Sequence, residues 1–243
     1  MIDKKYKKKA EQIMIHAVAL NQSGRLKNII MAKDRYIYIV NGDYTVLLRF
    51  DLGAPAIKTP FAFNANDYDG MDFHEEDGKI AFTFKAEGMK RTKCVGIPTA
   101  ISLEEVEDIF EKHGNRKFRN IVNFHENHLS LFEDNLSHIE IKSENKEVKF
   151  TQRDIITGST ITLERIEEGF GMGLQDEIVK DFGPIALRTQ DFAALFTFNP
   201  HVEFRFPSLP EKGICLVKGS KLPMEGIVAF CVYDEMGGLT VVK

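Results

Sequence analysis

The sequence has no tryptophan, only three cysteines, no excess of positive charge and no long apolar run. Cys94, Cys215 and Cys231 are widely spaced, with no C-x-x-C pair, and their apolar, strand-like surroundings predict buried reduced thiols. A formal charge of −4 at pH 7 argues against a uniformly basic nucleic-acid binder. It leaves room for cations gathered on one face. No stretch approaches the roughly 20 apolar residues that span a bilayer. Five lysines near the start (Lys4, Lys5, Lys7, Lys8 and Lys9) lead into Glu11-Gln12-Ile13-Met14-Ile15-His16, too polar for the apolar core of a secretory signal. A cytoplasmic protein with no membrane partner is expected.

What is present is ordinary globular composition, 43% hydrophobic and 28% charged, with 19 phenylalanines that predict a Phe-rich core. The length suits one large β-rich domain or two smaller ones, burying roughly 70–75% of the unfolded surface. The clearest local signal lies mid-chain. Ser102 and Glu105 form an S-x-x-E capping box, in which each partner satisfies a backbone N–H that the helix would otherwise orphan. Leu103, Val106, Ile109 and Phe110 follow on one stripe, and Gly114 is placed to end the helix.

Around that helix lie short β-type runs. Residues 4–20 read as an amphipathic helix with Ala10, Ile13, Met14 and Ala17 on the apolar face. Strands are expected over 26–31, 35–40 and 44–50, the last two joined at Asn41-Gly42. Pro55 and Pro60 bracket a connection, 64–77 reads as an acidic turn-rich stretch, and strands resume at 79–85 and 90–95. After the central helix, strands are expected at 118–124, 128–132, 137–142, 146–152 and 159–165. An acidic loop over 167–181 and a short strand at 184–187 follow. A short helix at 189–198 and strands at 201–206, 213–218 and 226–233 finish the pattern, with a tail at 240–242. Both halves run helix, strands, helix, strands. The order suggests an internal duplication, without residue-level repeat identity.

No constellation points to catalysis. Asp67, Asp69, Gly70 and Glu76 fall near a calcium-loop register, but Ala65 stands at its first ligand position, so a solvated acidic turn is the reading. His113, His125, His128 and His138 lack H-E-x-x-H spacing, and a strand would send His125 and His128 to opposite faces. Gly169, Gly171 and Gly173 have no following Lys-Ser/Thr and sit among acids that would repel phosphate. No metal, cofactor or enzymatic activity is expected. Positive charge, by contrast, gathers at the helices: Lys4, Lys5, Lys8 and Lys9 on the first, Lys112, Arg116, Lys117 and Arg119 at the end of the central one, and Lys180 and Arg188 near the third.

In the order of these elements the chain resembles the two-domain DNA sliding clamps, the proliferating cell nuclear antigen and bacteriophage clamp type. Residues 27–51 look like the strands after the leading clamp helix, 77–98 like the last strands of domain one entering the connector, and 101–113 like the helix opening domain two. Residues 188–206 fit the second helix of that domain and its next strand. The resemblance implies an α+β fold of two similar domains, with antiparallel sheets outside and a few helices on one face. Domain one would cover 1–95, the connector 96–101 and domain two 102–243. It further implies a non-enzymatic homotrimeric ring that encircles duplex DNA and tethers a polymerase, with clamp-loader-type partners. Lys5, Lys8, Lys9, Lys112, Arg116, Lys117, Arg119 and Arg188 would be the DNA contacts. The central helix departs from this picture, because Glu104, Asp108 and Glu111 make its outer face acidic. A β-rich accessory protein that does not encircle DNA is the alternative.

Overall fold

The computed structural model describes residues 2–20, 28–114, 118–132, 136–153, 160–164, 177–207, 213–233 and 239–241. Two compact units emerge: Met1–Asn115 with Pro223–Glu225, and Arg116–Leu222 with Gly226–Lys243. In the first unit, α1 (Lys7–Leu20) precedes β1 (Ile29–Asp34), β2 (Tyr36–Val40), β3 (Val46–Asp51) and β4 (Ile57–Asn64). These four strands pair antiparallel in the order β4-β1-β2-β3. A 3₁₀ turn at Ala65–Asp67 leads to β5 (Phe73–Glu76), β6 (Lys79–Ala86) and β7 (Met89–Gly96), a second sheet in sequence order. The helix α2 (Leu103–Gly114) closes the unit.

Strand alternation separates two faces of the β4-β1-β2-β3 sheet. Ile30, Ile37, Phe50 and Phe63 are fully buried on one face. There the rings of Phe61, Phe63, Phe73 and Phe82 meet at 4.9–5.8 Å, and Phe63 and Phe82 pack edge to face at 5.2 Å. The same face receives α1, whose Glu11 lies near Tyr68, the ring stacked on Phe63; Ala10, Ile13, Met14 and Ala17, spaced i, i+3, i+4, i+7, are all fully buried. The opposite face carries Lys33, Tyr38 and Arg49 and is covered by α2. Phe110 lies 5.9 Å from Tyr38 and 4.5 Å beneath the Arg49 guanidinium, and Lys33 reaches Glu107 at 2.8 Å. Burial pushes the Tyr38 hydroxyl up to about 12. Thus the helix expected to open the second domain packs on the first unit, on the side away from α1.

The second unit repeats the plan. After β8 (Asn120–His125) and a 3₁₀ turn at Glu126–Leu131 come β9 (His138–Glu144), β10 (Glu147–Arg153), β11 (Thr160–Glu164) and β12 (Ile185–Arg188). Their order, β12-β9-β10-β11, matches that of β4-β1-β2-β3. Then α3 (Thr189–Phe196) takes the place of the Ala65–Asp67 turn, and β13 (His201–Phe206), β14 (Ile214–Gly219) and β15 (Met224–Ala229) follow as β5, β6 and β7 do. Two short strands, β16 (Cys231–Tyr233) and β17 (Leu239–Val241), extend the sheet beyond β12. Phe124 centres this core, with Phe150, Phe192 and Phe204 at 4.9–5.1 Å.

Several local expectations change. The connection bracketed by prolines is the eight-residue strand β4, which tolerates Pro60 because it sits at a sheet edge beside an irregularity in the register with β1. The strand expected at 128–132 is a 3₁₀ turn. The hairpin between β2 and β3 closes through Asn41, whose Oδ1 accepts from Thr45 N and Val46 N while Tyr44 takes the positive φ. Cys94 is exposed rather than buried, because β7 is an edge strand whose only buried residue is Val95. Cys215 is buried, and Cys231 lies between. The glycine loop at 169–173 lies outside the described residues.

Candidate nucleic-acid interface

The start of α1 gathers exposed cations on one surface. Asp3 accepts from Lys5 N at 3.0 Å and caps a 3₁₀ turn, Lys4–Tyr6, that feeds into the helix. Burial of the Ala10–Ala17 stripe rotates Lys4, Lys5 and Lys8 into solvent, where all three are exposed. Two neighbours are spent internally. Lys9 Nζ donates to the carbonyl oxygen of Asp51 at 2.7 Å, and Lys7 Nζ pairs with Asp72 at 2.8 Å. The Lys7 ammonium holds the Asp72 carboxyl below its usual range. Asp51 is in turn held low by the Arg35 guanidinium, so Lys9 and Arg35 tie the helix start and the β1–β2 hairpin to one residue. Beside this surface is a cleft of about 400 Å³ lined by Lys4, Lys7, Asp72, Phe73 and His74.

The other expected contacts separate. Lys112 is exposed at the end of α2 and therefore lies on the sheet face opposite Lys5 and Lys8. The acidic residues Glu104, Asp108 and Glu111 lie on that far side too. Arg119 is exposed just before β8, whereas Arg116 and Lys117 lie outside the described residues. Arg188 is not a free cation. Its Nε and Nη2 grip both carboxylate oxygens of Asp191 at 2.8 and 3.0 Å, locking the first turn of α3. The i, i+3 spacing of Arg188 and Asp191 was the signal for this pair, legible once α3 is recognised as a helix.

Acids that suggested a calcium register are matched to cations of β7. Asp69 pairs with Arg91, and Lys93 Nζ meets the Asp67 carbonyl at 3.1 Å. The histidines change more. A strand would have parted His125 and His128, but the Glu126–Leu131 turn brings them together. His125 N donates to His128 Nδ1 and Asn127 N donates to His125 Nδ1, each at 3.1 Å. Across the ladder, the His201 ring sits 4.3 Å from that of His125. Burial and His125 lower the His201 imidazole, and burial with Arg188 lowers His138. Among the described residues, no helix is long and apolar enough to cross a membrane.

Two units of equal strand order, largely antiparallel, with few helices, have the fold of the DNA sliding clamps. No family model and no curated protein matches the sequence. Among solved structures, proliferating cellular nuclear antigen from Entamoeba histolytica aligns with a TM-score of 0.54 at 14% identity, over 90% of this chain and 95% of its own. The beta subunit from DNA polymerase of Streptococcus pyogenes gives 0.60 at 9% identity, over 93% of this chain. A putative DNA polymerase III beta subunit from Eubacterium rectale gives 0.58 at 8% identity, over 91%. The chain spans 63–64% of the length of these two beta subunits.

Proposed function

We propose that the protein is a DNA sliding clamp: a homotrimeric, non-enzymatic ring that encircles duplex DNA and tethers a polymerase, loaded by a clamp-loader-type partner. The observation that carries this reading is the repeated strand order of the two units, joined to the clamp fold. A ring holds DNA topologically, so weak phosphate contacts without base readout suffice and permit sliding. In the first unit these contacts are Lys5 and Lys8, assisted by Lys4, on the side that carries α1. The acidic surface of α2 lies on the other side of the sheet, which removes its conflict with phosphates at α1. Arg119 is a further contact from the second unit, and the same role is proposed for Arg116 and Lys117. Ring closure draws on unpaired edges. Among the described residues, β7 and β11 each end a sheet, and at eight residues β7 is a long edge for a second copy to extend.

The test is duplex binding across a salt series. Replacing Lys5 and Lys8 by Glu should weaken association and flatten the dependence of affinity on salt. The control is Lys112→Glu, which should change neither. Unaltered binding in the Lys5/Lys8 variant removes α1 from the DNA surface.

A further inference from the structure

We propose that the Glu126–Leu131 turn is a proton-operated latch, held closed by neutral His125 and His128 and released when either imidazole is protonated. The inference rests on hydrogen-bond chemistry alone and stands whether or not the protein encircles DNA. Both Nδ1 atoms accept from backbone N–H groups: His125 Nδ1 from Asn127 N, and His128 Nδ1 from His125 N. Each ring must therefore keep a lone pair on Nδ1 and its single proton on Nε2. An imidazolium has N–H at both positions and no acceptor. Adding a proton sets one N–H against another at the start of the turn, and the reciprocal cap is lost.

Charged and titratable groups flank the turn on β8, β13 and β14. His201, from β13, faces His125 edge to face at 4.3 Å and opposes a second positive charge there. Glu126, beside His125, attracts the His201 imidazole, against the lowering by burial and His125. By strand alternation Glu203 and Arg205 share the face of His201, where they pair with each other at 2.6 Å. Lys218 of β14 stands opposite Glu203, and Glu177 bridges Ile121 toward the other end of β8. The turn is coupled to the core of the second unit. The His128 ring lies edge-on to Phe124 at 6.2 Å, and Phe132, which ends the turn, meets Phe192 at 5.6 Å and Phe150 at 6.4 Å. Opening withdraws Phe132 from these rings and joins it to Leu131, already 53% exposed. Acid thus converts a closed turn into an apolar surface.

Amide hydrogen exchange of the full chain, referenced to intrinsic rates, tests the latch between about pH 7.5 and pH 5. Protection of the His125 and Asn127 amides should fall about tenfold or more between the two ends of that range. The double variant His125→Asn, His128→Asn presents Oδ1 in place of Nδ1 and does not titrate. It should keep its protection at both ends of the range. Constant protection in the unmodified protein, or an equal loss in the double variant, overturns the proposal. Should the double variant lack protection even at neutral pH, imidazole nitrogen shifts of the unmodified protein decide. Nε2–H tautomers at both histidines sustain the latch, and an Nδ1–H tautomer at either one refutes it.

Discussion

Gly219, at the end of β14, has no room for a side chain. A Cβ there would stand 2.3 Å from Asn199 Nδ2. Asn199 cannot easily yield, because it is buried and its amide holds Leu222 at both N–H and C=O, at 2.9 and 3.2 Å. Gly219→Ala should lower stability by about 1–3 kcal/mol, measured by denaturant unfolding; a change within error would show that the Asn199 loop gives way freely. Single residues also set the limits of what charge alone conveys. Lys5, Lys8 and Lys9 look alike in the sequence, yet Lys9 is spent on the Asp51 carbonyl, 42 positions away. Nothing local to Lys9 announces that partner. Arg188, by contrast, meets an acid three residues on, and its pairing is readable from spacing.

Among the elements, α2 was legible from its own residues. Ser102 N donates to Glu105 Oε2 at 2.7 Å and Glu105 N to Ser102 Oγ at 3.2 Å, the reciprocal cap that the S-x-x-E spacing predicts. Ser102→Ala should cost about 1 kcal/mol and fray the first turn, seen as faster exchange of the Glu105 amide. The β9–β10 hairpin makes a pH prediction. Asn145 and Lys146 both hold positive φ in its turn, and Asp181 accepts from Ser143 Oγ, Lys146 N and Asn145 N at 2.7–3.0 Å. These bonds, the Ser143 hydroxyl first, hold the Asp181 carboxyl below its ordinary value of 3.8. Because the folded-state value is depressed, the contribution is complete above that ordinary value and lost as pH falls below it. Protection of the Asn145 and Lys146 amides should therefore drop in acid below about pH 4, and Asp181→Asn should abolish the pH dependence. An unchanged acid transition in that variant would assign it to another group. Elements misread were those whose type depends on neighbours: β4 carries a proline that only an edge accepts, and the Glu126–Leu131 turn contains residues that alternate like a strand.

At the scale of the whole molecule, each unit holds its own aromatic core. Phe124→Ala removes the ring that meets Phe150, Phe192 and Phe204, and should destabilise the second unit by about 3–5 kcal/mol. Exchange in β9 and β10 should rise with it, while β1 and β2 stay protected; uniform loss across both units would mean that they unfold as one. Assembly is the larger prediction. Sedimentation at micromolar concentration should give the mass of three chains, and a strict monomer would count against the ring.

The sequence by itself determined which segments could form amphipathic helices and short strands, the capping of α2 and a phenylalanine-rich core. Those depend on periodicity and on contacts between residues a few positions apart. The tertiary structure decided which helix stands for which. By chain order α2 looks like the start of a second copy, yet Phe110 packs against Tyr38 and Arg49 of the first unit's sheet, opposite α1, and the Glu126–Leu131 turn occupies the matching place in the second unit. The reason is physical. An apolar stripe specifies that a helix will be buried, but which sheet, and which of its two faces, buries it depends on complementary side chains scores of residues away. That choice parts Lys112 and the α2 acids from Lys5 and Lys8, and so draws the proposed DNA surface.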